Sequence, residues 1–156
     1  MRRSAARWSA LVLCAVLGAS LAGCAFQRPA SDLTHKDVVG DWESRGGYGS
    51  FELTLFEDGS FEAHDWPRAL MCEQPDARTA GAIDWADSVD ASGEWQVIPD
   101  IGYQIDFDVE EGCPKRWWYT FIYRDVVGAY AMQFILDPTK DPEVPSNDTV
   151  VWLDKK

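Results

Sequence analysis

The chain has 156 residues, enough for one domain and short for two. Lys and Arg number 14 against 26 Asp and Glu, a net charge of −12, which excludes a nucleic-acid-binding surface because displacing counterions from phosphate needs a basic patch. With 46% hydrophobic and 13% aromatic residues, the chain is too apolar for intrinsic disorder and large enough to bury a core.

The N-terminus, Met1-Arg2-Arg3-Ser4-Ala5-Ala6-Arg7, is basic and free of acids. An apolar run from Trp8 to Ala22 follows, too short for a comfortable membrane span and ending in small residues, the pattern of a removable export signal. Arg2-Arg3 lacks the apolar positions of a twin-arginine signal, so the general secretory route is expected. The segment closes on Leu21-Ala22-Gly23-Cys24, which resembles the lipobox of bacterial lipoproteins. The resemblance implies cleavage after Gly23, removal of residues 1–23, and a diacylglyceryl group on Cys24. Two acyl chains anchor stably where one does not, so the expected location is extracytoplasmic, on the outer face of the cell membrane. Loss of Arg2, Arg3 and Arg7 would leave about −15 on the mature chain.

Cys14 belongs to the discarded segment and Cys24 to the lipid. Cys72 and Cys113 remain, two thiols in an exported setting, and a disulfide between them is expected. The spacing for a metal or redox pair is missing: there is no C-x-x-C, and His35 and His64 are not near a cysteine in sequence.

Residues 24–33 read as a lipidated tether and 34–156 as a single domain. Thr34 can cap a short helical turn, with Asp37 placed for a capping-box contact, and Gly40 stops it. Period-two alternation then predicts strands at 38–43, 51–55, 60–64, 91–98, 103–109, 116–124, 129–136 and 149–154. Asp58-Gly59 is a tight-turn signal between the second and third. Two longer connections interrupt the pattern, 65–91 and 137–148. Strands adjacent in sequence and joined by tight turns pair antiparallel, and an eight-strand up-and-down meander that hides its edges closes into a small barrel.

Val38-Val39-Gly40-Asp41-Trp42, following a helical turn, resembles the first lipocalin motif. That resemblance implies a lipocalin-like barrel in which Trp42 plugs the floor. A wider likeness runs through Gly40-Asp41-Trp42, Asp58-Gly59-Ser60-Phe61, Gly93-Glu94-Trp95, Asp137-Pro138 and Trp152. Together with the lipobox, these are similar to small actinobacterial lipoproteins with a calycin-like barrel. That family implies fold and location and no activity.

The candidate chemistry is thin. Asp106 and Asp108, with Glu94, could supply paired carboxylates for glycoside hydrolysis, but alternation with Ile105 and Phe107 places them on the outside of the barrel. Asp106-x-Asp108-x-Glu110, and Asp137 with Asp141 and Glu143, are rich in oxygen ligands but lack the turn that wraps calcium. Ser60 and His64 share a strand face without an acid to orient the histidine. No catalytic residue, metal or cofactor is therefore expected.

The segment 116–123, Arg-Trp-Trp-Tyr-Thr-Phe-Ile-Tyr, is the strongest binding candidate, with Arg116, Trp117, Trp118, Tyr119 and Tyr123 as the residues to contact a ligand or partner. Trp117, Tyr119, Phe121 and Tyr123 are expected to fill the barrel. Trp118, Thr120 and Ile122 are expected outside, under the 65–91 loop or a partner. The expected function is a non-enzymatic envelope barrel that binds a small apolar or aromatic ligand, or an envelope protein. The alternative is an acidic inhibitor or immunity-type protein acting on a basic secreted enzyme.

Overall fold

A computed structural model describes residues 27–72, 78–114, 116–137, 139, 146 and 148–156. The expected export signal, Cys14, the lipobox-like segment and Cys24 lie outside these residues, as do Pro138, Asp141 and Glu143. Among the described residues, no helix is long and apolar enough to cross a membrane.

The fold is the expected closed antiparallel barrel of eight strands, with one extra strand at its edge. The extra strand is β1 (Arg28–Pro29). The barrel comprises β2 (Gly40–Ser44), β3 (Glu52–Leu55), β4 (Ser60–Pro67), β5 (Ser88–Ile98), β6 (Gln104–Glu111), β7 (Arg116–Arg124), β8 (Tyr130–Ile135) and β9 (Val150–Lys155). Each strand pairs with the next, and β9 pairs with β2 to close the ring. Closure leaves no barrel strand with an unpaired edge.

Residues 28–33, expected to belong to a tether, pack against the barrel. Arg28 and Pro29 pair with Arg124 and Tyr123 of β7, and Ala30 and Leu33 are buried. The short apolar residues of this segment fill a gap beside β7 where β6 has ended.

A helical turn at His35–Val38 closes one end, here called the floor. Thr34 donates both its amide and its hydroxyl to the Asp37 carboxylate. These bonds, the hydroxyl first, hold the Asp37 carboxyl below its ordinary value. Gly40 has φ +126°, a conformation that side chains resist, and it turns the chain from the helix into β2. Trp42 is fully buried and its indole N–H donates to Val38 C=O at 2.9 Å, so it plugs the floor. Lys155, paired in register with Trp42, donates to Asp37 C=O at 2.7 Å. Burial pushes its amine down, and the Asp37 charge opposes that shift.

The expected third strand is too short. β4 runs on to Pro67 because a bulge after Ala63 absorbs the polar pair His64-Asp65, with Asp65 at φ +52°. One extra residue lets both Ala63 and Trp66 face inward, which simple alternation forbids. β5 likewise begins at Ser88. At Gly93 a Cβ would lie 2.1 Å from Asp108 C=O, so glycine is what permits β6 to approach there.

The other end is covered by the segment between β4 and β5. It contains a helical turn (Arg68–Met71) and a short 3₁₀ turn (Ala80–Ala82). The Ala80 amide donates to Asp148 C=O, and Trp85 stacks on Tyr48 and Phe51. Cys72 and Cys113 form the expected disulfide, with Cα atoms 5.1 Å apart. The bond ties this cover to the β6–β7 turn.

Candidate functional site

Strand β7 runs from the covered end to the floor and carries most of the candidate residues. Its two faces are the reverse of what was expected. Trp118, Thr120 and Ile122 are buried inside the barrel, whereas Trp117 and Tyr119 are 56% and 44% exposed on its outer wall. The cause is register. Ile105, Phe107 and Val109 of β6 point inward, as their alternation implies, and Phe107 pairs directly with Trp118. Residues opposite one another share a face, so Trp118 must follow Phe107 inside.

The interior is filled by rings. Trp118 stacks on Phe107 at 4.1 Å, and Phe61, Phe134, Trp66 and Phe51 continue the cluster. The indole N–H groups of Trp66, Trp95 and Trp118 are buried with no hydrogen-bond acceptor among the described residues. They are held by packing, not by polar anchoring.

The outer wall carries a second aromatic series. Trp117 meets Tyr119 at 5.6 Å, Tyr119 meets Phe121 at 5.5 Å, and Tyr103 packs against Phe121 and Tyr123. Tyr123 meets Trp152, which carries the Arg45 guanidinium over its ring. Toward the floor this series is packed over, and Tyr123 is 5% exposed. Toward the covered end it is open, and Trp117 and Tyr119 are its most exposed rings among the described residues. The Arg116 backbone pairs with Val109 at the start of β7.

Asp106 and Asp108 lie on the outer wall as expected, but Asp106 is committed. Its carboxylate accepts from Gln104 Nε2 at 2.6 Å and from Trp117 Nε1 at 3.2 Å, and it is nearly covered. It fixes the Trp117 ring. Asp108 lies across from Trp117 and beside Glu94, giving the row Glu94–Asp108–Trp117 over three strands. Glu110 is exposed on the same strand. No Lys or Arg occurs between Arg45 and Arg68 or between Arg78 and Lys115, so strands β3 to β6 carry no cation of their own.

The remaining candidates stay apart. The Ser60 hydroxyl donates to Asp58 at 2.6 Å, while His64 lies 3.5 Å from Asp90. Among the described residues, no group of three His, Cys, Asp or Glu side chains is placed to hold a metal ion. A groove of about 240 Å³ opens at the covered end, lined by Gly49, Ser50, Phe51, Asp65 and Trp85. The composition of 116–123 was the signal that found the exposed pair. The role of Asp106 had no signal, because it depends on a diagonal contact between strands.

No family model matches the chain, and no curated protein or solved structure matches it.

Proposed function

We propose that this protein is a lipid-anchored, non-enzymatic component of the bacterial envelope that binds a basic protein partner on the outer wall of β7. The observation that carries the reading is the open aromatic pair Trp117 and Tyr119 on a barrel whose interior is packed with rings. A ligand inside would have to displace Trp118 or Phe107. A partner outside displaces only water. Exposed aromatics at the centre of a patch are common anchors in interfaces.

Charge supports the class of partner. Glu94, Asp108 and Glu110 flank the pair on strands without cations. A Lys or Arg side chain can lie over the Trp117 face while its charge meets Glu94 or Glu110. Such a surface also speeds encounter with a basic protein. This favours the inhibitor or immunity-type reading over a small-molecule carrier. The lipid on Cys24 and the outer-face location follow from the lipobox resemblance.

The test is photo-crosslinking in living cells, with p-benzoylphenylalanine in place of Trp117 or Tyr119, and in place of Glu52 on another part of the wall. The expected result is one discrete protein adduct from positions 117 and 119 and none from 52. Its yield should fall with added salt and in the combined Glu94→Gln, Asp108→Asn, Glu110→Gln variant. No adduct from 117 and 119, or the same adduct from 52, overturns the reading.

A further inference from the structure

Among the described residues, the large exposed apolar side chains other than Trp117 and Tyr119 share one end of the barrel. They are Phe56, Ile101, Val126 and Val127, at 37%, 42%, 74% and 84% exposure. Phe56 lies in the β3–β4 turn, Ile101 in the β5–β6 turn, and Val126 and Val127 in the β7–β8 turn. All three turns lie at the floor, around the helical plug. Such turns ordinarily take Gly, Asn, Asp or Ser, and a β-branched pair in the tip of a tight turn has no local reason to be there.

The backbone of each turn is already tied down, so these side chains are not waiting to fold inward. Asp125 accepts from the Val127 and Ala129 amides, Ile101 N–H donates to Ile98 C=O, and Phe56 N–H donates to Ser60 C=O. Asp58 and Asp125 are engaged in their own turns, while Glu57 and Asp100 are the direct sequence neighbours of Phe56 and Ile101.

The chain also enters the fold at this end. Arg28 pairs with Arg124, the residue of β7 nearest the floor, and the strand rises from there to Ala30 opposite Ile122. The first described residues, Gln27 and Arg28, therefore stand on the floor side. Cys24 is four residues before Arg28, a reach of at most ~14 Å fully extended. An acyl group on Cys24 would therefore keep the floor end within that distance of the bilayer.

We infer that the floor of the barrel is a lipid-contacting surface, with the three turn tips resting in the headgroup–acyl boundary. The inference rests on the envelope reading for its setting but not on acylation itself. Arg28, Lys36, Glu57 and Asp100 give this end both signs of charge, so contact is led by the apolar tips and depends little on anionic lipid. The arrangement would stand the molecule on its floor, with Trp117 and Tyr119 on the half of the wall away from the membrane.

The test is hydrogen–deuterium exchange of the mature chain from Cys24, coupled through that cysteine to a maleimide lipid in phosphatidylcholine vesicles. Coupling makes the outcome independent of natural acylation, which the mass of the native N-terminal peptide reports separately. A second form carries ten Gly and Ser residues inserted after Cys24, long enough to let the barrel tumble. The expected result is slower exchange at 56–59, 99–102 and 125–128 on vesicles in both forms, with 48–50 and 110–114 unchanged. Val126→Asp with Val127→Asp should abolish that protection without altering unfolding in solution, since both side chains are exposed. Equal exchange on and off vesicles, protection at the covered end, or protection lost on lengthening the tether each overturns the inference.

Discussion

The two faces of β7 carry nearly the same chemistry and meet opposite fates. Trp118 and Ile122 sit in a dry aromatic cluster, while Trp117 and Tyr119, one residue away, stand in solvent. Composition cannot separate them, since each face has a tryptophan and further bulky side chains. Pairing separates them. Phe107 lies opposite Trp118 and Asp108 opposite Trp117, so β6, with a cleaner alternation, decides for its neighbour. A strand that is apolar on both faces takes its orientation from the strand beside it, and its left-over face becomes the surface available for binding.

Truncation is the sharpest way to break this comparison. Trp118→Ala should cost ~3–5 kcal/mol, the usual range for emptying a buried aromatic site. Trp117→Ala or Tyr119→Ala should fall within about 1 kcal/mol, as surface changes do. Urea unfolding of the three variants measures the difference, and equal costs on the two faces would contradict the register.

Reducing Cys72–Cys113 tests the cover over the interior. The bond spans 41 residues and is worth ~4 kcal/mol at most in the chain-entropy account. Cys72→Ser with Cys113→Ser should lower stability by ~2–4 kcal/mol and leave binding on the outer wall unchanged. Loss of binding in that variant, measured below its melting temperature, would tie the site to the cover instead.

Within the interior, Trp42 and Trp118 differ in polar anchoring. Trp42→Phe leaves the buried Val38 carbonyl without its donor, whereas Trp118 makes no such bond. Trp42→Phe should therefore cost ~1 kcal/mol more than Trp118→Phe. Thermal unfolding of both variants gives the difference, and the reverse order would remove the floor plug from the account.

The smallest effect concerns pH. Thr34 holds the folded Asp37 carboxyl below its ordinary value of 3.8. A lowered folded value adds stability that is fully present above the unfolded pKa and is lost as pH falls through the folded one. Asp37→Asn should thus be slightly less stable than the parent at neutral pH and converge with it below that range. Melting curves of the pair from pH 7 to pH 2 show the trend, and a gap that widens on acidification would contradict it.

Much of this was legible in the chain. Tight turns at Asp58-Gly59 and Asp125-Val126-Val127-Gly128 and the alternation of 103–109 predict the meander, and the cysteine arithmetic predicts Cys72–Cys113. What escaped was what alternation cannot encode. The bulge at His64-Asp65 adds a residue and hides the last third of β4. The turn after Glu111 sets the parity of β7 through a register that no local pattern specifies. Residues 24–33 read as a tether, yet Arg28 and Pro29 within them are held by backbone pairing to β7. Asp106 reads as a free acid until its diagonal contact with Trp117 is seen.

The central claim is that the barrel is full and that its wall is what binds. Native mass spectrometry of the mature chain, extracted from a bacterial envelope, tests it most directly. The account predicts the acylated chain with an intact disulfide and no small molecule that survives gentle ionisation and leaves on unfolding. A stoichiometric small-molecule adduct, released when the barrel unfolds and retained by Trp117→Ala, would contradict it and make the interior the site.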